Sequence, residues 1–267
     1  MKITALVEDT SLQGLPAEHG LSLWIEACGR KFLFDLGQGD LFARNAASLG
    51  IDLREAEFAV ISHGHYDHGG GIPHFLEING KAPVYAHRDA FSGIYGLYND
   101  ECAFIGLSQE LKDDGRIIKT DGTVEISEGI ILFSGGSGRE FFPPDNARMF
   151  KEADGRMLSD DFSHEQSLII RERGNNVLIA GCSHSGILNI AARAEEITGE
   201  PLSHIIAGMH LMGAVEDSFI EGLAQGLLHR GCRCYTCHCT GRGPYERLRS
   251  VMGEQVSFLS TGDVIEL

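Results

Sequence analysis

The sequence predicts an α/β protein of the four-layer αββα type, with two mixed sheets packed face to face and helices on the outside. Three observations predict it. The order hairpin, helix, strand occurs twice: Leu21-Ser22-Leu23-Trp24-Ile25 and Lys31-Phe32-Leu33-Phe34 turn at Cys28-Gly29-Arg30, and Gln166-Ser167-Leu168-Ile169-Ile170 and Val177-Leu178-Ile179-Ala180 turn at Gly174. The pitch of the two copies is nearly equal, since Ser22 to His63 is matched by Ser167 to His210, and a duplication of this kind gives each half an apolar sheet face to be covered. The composition agrees, because 267 residues of which 43% are hydrophobic suffice for a large core. The expected organisation is a single domain over 1–267, with repeat halves at about 1–130 and 131–267 and an irregular insertion at about 97–165.

Taken in order, residues 2–7 form a first strand, and 21–25 with 31–34 form the first hairpin. Leu41, Phe42, Ala46 and Leu49 recur at helical spacing, and Gly50 stops that helix. Phe58-Ala59-Val60-Ile61 reads as a buried strand. A helix at 72–78 tolerates Pro73 in its first turn, and a strand at 83–86 and a helix at 88–96 follow. Between 97 and 165 only short strands near 116–119, 123–126 and 129–133 stand out before the Gly- and Pro-rich run 135–144, a pattern suited to a functional lid. The second half then reads as the repeated hairpin, helix 187–197, strand 204–208, helix 217–230, strand 232–236, helix 243–251 and a terminal hairpin around Gly262-Asp263.

The residues that carry chemistry cluster after the strand at 58–61. His63-Gly64-His65-Tyr66-Asp67-His68 puts four metal-ligand side chains into six residues, and Gly69-Gly70-Gly71 lets the chain turn tightly into a helix. His63 and His65 can hold one ion, and Asp67 and His68, adjacent in a turning loop, a second. Three later segments also follow strands. Ala180-Gly181-Cys182-Ser183-His184-Ser185-Gly186 opens a helix, where a metal or anion binds. Gly208-Met209-His210-Leu211 offers His210, whose apolar neighbours suit a core histidine as well as a ligand. Tyr235-Thr236-Cys237-His238-Cys239-Thr240-Gly241 offers His238. The four cysteines from Cys232 to Cys239 invite a structural zinc site, but in a continuous strand Cys232 and Cys234 face one way and Cys237 and Cys239 the other. Tyr66, His87 and Arg139 are the candidate substrate contacts, with Arg88 and Phe141 as further options and Arg139 as an anion clamp in a Gly-rich loop.

The spacing His-x-His-x-Asp-His resembles the signature of the metallo-β-lactamase superfamily at every position. Joined with Phe34-Asp35-Leu36-Gly37, Gly181-Cys182-Ser183-His184-Ser185-Gly186, Gly208-Met209-His210-Leu211 and Cys237-His238-Cys239-Thr240-Gly241, it resembles a subgroup of metallo-hydrolases that includes dihydropterin ribofuranosyl-aminobenzene phosphate synthases. The resemblance implies the αββα fold, two divalent ions, zinc first with manganese or iron as alternatives, and His63, His65, Asp67, His68, His184 and His238 as ligands, with His210 open. Most members carry a Gly-Asp whose carboxylate bridges the two ions, and here the comparable strand end is Gly181-Cys182. That departure leaves three options: Cys182 ligates as a thiolate, His184 takes part of the role, or the site holds one ion. For the family's isolated third histidine, His184 is preferred over His164, which lies among Asp160, Asp161 and Glu165 and reads as a solvated polar turn.

The expected activity is a metal-dependent hydrolase acting on a small ester, phosphodiester or phosphate-bearing substrate. Its nucleophile is a metal-bound hydroxide, since a zinc-type site lowers the pKa of water from 15.7 to roughly 7, and Asp67 orients it and shuttles a proton. A pterin-linked synthase or transferase and a metal-binding redox or sensory module are the alternatives; no Gly-rich dinucleotide fingerprint supports the last. A formal net charge of -16, from 38 acidic against 22 basic residues, opposes nucleic acid and anionic membranes as partners. The apolar run at the start is too short for a secretory signal, and no stretch approaches the roughly 20 apolar residues that span a bilayer. Seven cysteines, four of them crowded together, do not make a disulfide framework. The expectation is a cytoplasmic protein with reduced thiols and a small-molecule substrate, with a homo-oligomer as an open option.

Overall fold

The first hairpin forms where the alternation of apolar residues places it, with β2 (Ser22–Ala27) and β3 (Arg30–Phe34) antiparallel, and β1 (Lys2–Val7) pairs antiparallel with β2. The computed structural model describes residues 1–11, 14–99, 101–136, 138–213 and 215–267. By contacts the chain divides into two units that interleave in sequence: 1–121, 147–166 and 260–267 form the first, and 122–146 with 167–259 the second. The partition therefore does not fall at a single point near residue 130.

In the first unit, strands numbered along the chain run in the order β18-β1-β2-β3-β4-β5-β8, with β4 (Ala59–Val60), β5 (Val84–His87), β8 (Ile117–Thr120) and β18 (Val264–Glu266). β3, β4, β5 and β8 are parallel. Parallel neighbours need crossovers, supplied by α1 (Leu41–Ser48) between β3 and β4, and by α2 (Tyr66–Gly69) and α3 (Ile72–Ile78) between β4 and β5. α1 buries Leu41, Phe42 and Ala46 in a cluster with Leu6, Trp24 and Leu33. α2 is a single helical turn, so Asp67 and His68 sit on a helix and not in the loop expected.

In the second unit the order is β17-β16-β15-β14-β13-β10-β9, from β9 (Thr123–Ser127), β10 (Ile130–Ser134), β13 (Gln166–Glu172), β14 (Asn175–Ala180), β15 (His204–Ala207), β16 (Arg233–Thr236) and β17 (Val256–Phe258). β13 and β14 are antiparallel, and β14 to β17 are parallel. The crossovers are α4 (Ile187–Thr198), α5 (Asp217–Arg230) and α6 (Arg242–Met252). The two sheets thus share one plan, an antiparallel hairpin followed by three parallel strands.

Two sequence expectations are corrected here. The helix expected at 88–96 is absent: a turn follows β5, and Ile94–Tyr98 is a strand, β6. It joins β7 (Glu101–Phe104), β11 (Met149–Ala153) and β12 (Arg156–Ser159) in a four-stranded sheet of the first unit, ordered β12-β11-β6-β7. Ile94, Tyr95 and Tyr98 are residues that favour strands, and pairing of β6 with both β11 and β7 overrides a short helical spacing. Where the second unit places α6, after its equivalent of β5, the first unit places this sheet, so 97–165 is not an irregular insertion. The terminal hairpin is also absent, because β17 pairs with β16 and β18 with β1. Among the described residues no helix is long and apolar enough to cross a membrane.

Candidate metal centre

In the first unit the end of β4 delivers Ser62 and His63, and the end of its parallel neighbour β3 delivers Asp35. Asp35 adopts φ of +58°, a strained conformation for a residue with a side chain. Its buried carboxylate is held by three hydrogen bonds: the Ser62 N–H donates to Oδ1 at 2.7 Å, the Ser62 hydroxyl to Oδ2 at 2.7 Å and His68 Nδ1–H to Oδ2 at 2.6 Å. His68 therefore carries its proton on Nδ1 and presents the lone pair of Nε2. The single hydroxyl proton of Ser62 goes to Asp35, so its oxygen accepts from His63 Nδ1 at 2.9 Å, and His63 too presents Nε2.

That nitrogen lies 3.0 Å from Nδ1 of His65. The His63 ring is centred 4.4 Å from the His65 ring and 4.2 Å from the His68 ring, and Asp67 Oδ2 is 3.7 Å from His68 Nε2. All four side chains are buried. Burial, and next the nearby His164, push His65 from the usual 6.5 down to about 3, so its imidazole is neutral. Imidazoles turned toward one another beside a carboxylate are the donor set of a divalent transition metal. Ligating histidines are oriented by outer carboxylates and hydroxyls as His68 and His63 are here, so the residues present fit such an ion. A Cβ at Gly70 would lie 2.2 Å from the Gln38 carbonyl oxygen, which is why the turn after the cluster requires glycine.

Several residues around this cluster escaped the sequence reading. Asp35 was legible only as part of a strand-end motif. His19, half exposed, has Nδ1 2.8 Å from Asp9 Oδ2 and Nε2 3.4 Å from Asp67 Oδ2, and no local pattern marks it. His164 is corrected outright: it is no solvated turn but 1% exposed, with its ring centred 5.7 Å from that of His65. Tyr66 is exposed at 39%, while its N–H donates to the Ile105 carbonyl at 2.9 Å. His87 is buried, its Nδ1 accepting the Asp89 N–H at 3.2 Å, and Arg88 is paired with Asp121 at 2.9 Å.

In the second unit the ends of three adjacent parallel strands carry the remaining candidates. Cys182 and His184 follow β14, His210 follows β15 and His238 follows β16. Ser183, His210 and His238 have φ of +57°, +47° and +46°, so the chain bends sharply at each strand end. Asn146 fixes His184 twice, accepting from Nδ1 at 2.9 Å and donating to the backbone carbonyl at 2.7 Å. His184 thus also presents Nε2. Asn146 lies next to Pro143-Pro144 in a stretch with no periodic signal, and only its partner shows its purpose.

His210 is not an isolated core histidine, since its ring is centred 4.3 Å from that of His184 and its N–H donates to Cys239 Sγ at 3.2 Å. β16 ends at Thr236 and a tight turn, His238–Thr240, follows, so the strand-parity argument does not extend to Cys239. Cys232 and Cys234 lie in the hydrophobic core of this unit. Among the described residues, no cluster of metal-ligating side chains contains Cys232, Cys234, Cys237 or Cys239. Arg139 is exposed, its guanidinium 4.9 Å above the Phe142 ring, and Phe141 packs against Phe219 with ring centres 5.3 Å apart.

Residues 15–155 match the family profile of the metallo-β-lactamase superfamily. An uncharacterized protein of Methanocaldococcus jannaschii is 30% identical over 249 residues, which are 90% of each chain. The chain belongs to the metallo-β-lactamase superfamily. A protein of the same organism, 7,8-dihydropterin-6-methyl-4-(β-D-ribofuranosyl)-aminobenzene-5′-phosphate synthase, is 26% identical over 286 residues, covering 100% of this chain and 96% of its own. The crystal structure of Tm1679, described as a metal-dependent hydrolase of the β-lactamase superfamily, superposes with a TM-score of 0.85 at 29% identity, over 100% of this chain and 99% of that one. A diphosphatase of the PhnP family shares the fold at a TM-score of 0.56 and 13% identity, over 99% and 96% of the two chains. The fold class expected from the sequence is therefore the fold of this metallo-β-lactamase superfamily member.

Proposed function

We propose that this protein is a metal-dependent hydrolase of small ester, phosphodiester or phosphate-bearing substrates. The observation that carries the reading is the buried cluster of His63, His65, Asp67 and His68, two of whose rings Asp35 and Ser62 hold with Nε2 presented. In this reading His63 and His65 hold one divalent ion and Asp67 and His68 a second, and His184 and His238, with His210 and Cys182 as further options, are the additional ligands that the superfamily resemblance implies. Zinc is the first choice, and manganese and iron satisfy the same donors. When bound, such ions bring the pKa of a coordinated water from 15.7 to roughly 7 and polarise the substrate oxygen.

The chain's own residues do the rest. Asp67 Oδ2 orients the water and takes its proton, at a position 3.4 Å from His19 Nε2. Asp35 holds the His68 ring with Nε2 presented, and burial keeps His65 neutral. Exposed Tyr66 and Arg139 are the assigned substrate contacts, and buried His87 is left out of that set. Bound cations offset the overall charge of -16 locally, which admits an anionic substrate. The reading keeps the cytoplasmic setting that the crowding of four cysteines between 232 and 239 suggests. Full-length similarity to a pterin-linked synthase favours a second reading, group transfer to a pterin.

The test is elemental analysis of protein purified without added metal, paired with a screen of phosphodiesters, phosphomonoesters and thioesters. Two equivalents of metal, with hydrolysis lost to a chelator and restored by zinc, is the expected result. Hydrolysis indifferent to chelation would overturn the reading, and turnover seen only with added pterin would move the assignment to the synthase.

A further inference from the structure

Three buried side chains of the first unit, His65, Asp160 and His164, bring ligand atoms within 4.8 Å of one another. On distance alone they make a further cation site. The hydrogen bonds say otherwise. His164 Nδ1 accepts the Gly64 N–H at 3.1 Å, so that nitrogen bears no proton. The proton of the neutral ring then sits on Nε2, which donates to Asp160 Oδ2 at 3.0 Å. Both ring nitrogens are in use, and neither lone pair is left for a metal. The carboxylate is tied in turn, with Oδ1 accepting the Phe162 N–H at 2.8 Å.

We propose that Asp160 and His164 are positioning residues that hold the ligand loop 63–65 in shape through the Gly64 amide, an inference that rests on the metal-dependent reading above. Gly64 stands between His63 and His65, so a displacement of its amide turns both rings. The loop is held at successive residues: Gly64 by His164, His65 by a bridge to Gly106, and Tyr66 by the Ile105 carbonyl at 2.9 Å. A Cβ at Gly64 would lie 2.4 Å from the Ala90 carbonyl oxygen, so the backbone has no slack there. Gly106 follows β7 and Asp160 follows β12, whose hairpin partner β11 accepts the Asp160 N–H at the Met149 carbonyl, 2.9 Å away. The small sheet that replaces a helix in this unit is thus what secures the ligand loop.

Zinc titration against a chelating indicator tests this without an assay of turnover. His164→Ala should weaken binding of the tighter ion by about 10–100-fold, the range for losing an outer hydrogen-bond partner of a ligand. His164→Asn, whose Oδ1 can take the Gly64 N–H, should recover most of that loss. Should His164→Ala fail to fold, Asp160→Asn serves instead, since one amide oxygen cannot accept from both Phe162 and His164, and it should weaken zinc binding in the same direction. Nitrogen-15 spectra of the wild-type imidazoles should show His164 as the Nε2–H tautomer both with and without zinc. A third equivalent of zinc lost in His164→Ala, with deprotonated Nε2 in the loaded protein, would make the triad a cation site and overturn the proposal. So would unchanged zinc affinity in every variant, which would leave the pair a role in stability alone. Wild-type protein that binds no divalent ion would overturn this inference and the hydrolase reading together, whereas unchanged variants of a zinc-binding wild type overturn only this one.

Discussion

In the first unit a buried carboxylate, Asp35, receives the Nδ1 proton of His68, whereas in the second an amide, Asn146, receives the Nδ1 proton of His184. Both contacts select the same tautomer. A carboxylate behind the ring also adds negative charge and raises the basicity of the imidazole, while an amide adds none. On the proposed metal-dependent reading, the same strand plan is equipped in one unit with charged support for a ligand and in the other with neutral support. The units differ again after the equivalents of β5, where one builds a small sheet and the other α6.

The largest effect expected from this contrast is at Asp67. Asp67→Ala should lower turnover of a confirmed substrate by about 10²–10⁴-fold with the circular dichroism spectrum unchanged, and a fully active variant would remove the first unit from the chemistry. Next come the two outer partners, Asp35→Asn and Asn146→Ala, measured by zinc competition. The first should cost about 100-fold in affinity and the second about 10-fold, the two ends of the range for such partners; equal losses would erase the distinction between charged and neutral support.

A smaller effect belongs to pH. In metal-free protein His65 is held at about 3 in place of 6.5, by burial first and by His164 next. Between those values the unfolded chain binds the extra proton and the folded one does not, so stability rises with pH across the window and is lost as pH falls from 6.5 toward 3. Thermal melts of the metal-free protein should show this decline, and His65→Asn should flatten it; parallel curves for the two proteins would mean that the ring is solvated when metal is absent. The smallest effect on the site should come from the core of the second unit. Leu227→Ala removes a fully buried side chain and should cost about 2–5 kcal/mol of stability, with zinc affinity, measured where the protein remains folded, within a few-fold of wild type.

Local pattern was enough for the elements whose neighbours lie close along the chain. The hairpins, α1, α3, α4, α5 and α6 follow from apolar spacing and turn glycines, and the ligand candidates follow from their place at strand ends. The helix expected at 88–96 failed because β6 owes its state to pairing with β7 on one side and, on the other, with β11, a strand far along the chain. His164 was misread for a related reason. Its neighbour Asp161 is indeed exposed and paired with Lys151 at 2.6 Å, but Asp160 turns inward, and nothing in the polar string separates the two.

By itself the sequence determined the α/β plan and pointed to the candidate ligands, because alternation, helical period and the His-x-His-x-Asp-His spacing are properties of adjacent residues. Only the tertiary structure decided which groups stand behind those ligands: Asp35 from the neighbouring strand, Asn146 from an unpatterned segment, and Asp160 with His164 from the small sheet. Burial and hydrogen-bond partnership join residues distant along the chain, and they, not composition, choose which ring nitrogen holds its proton.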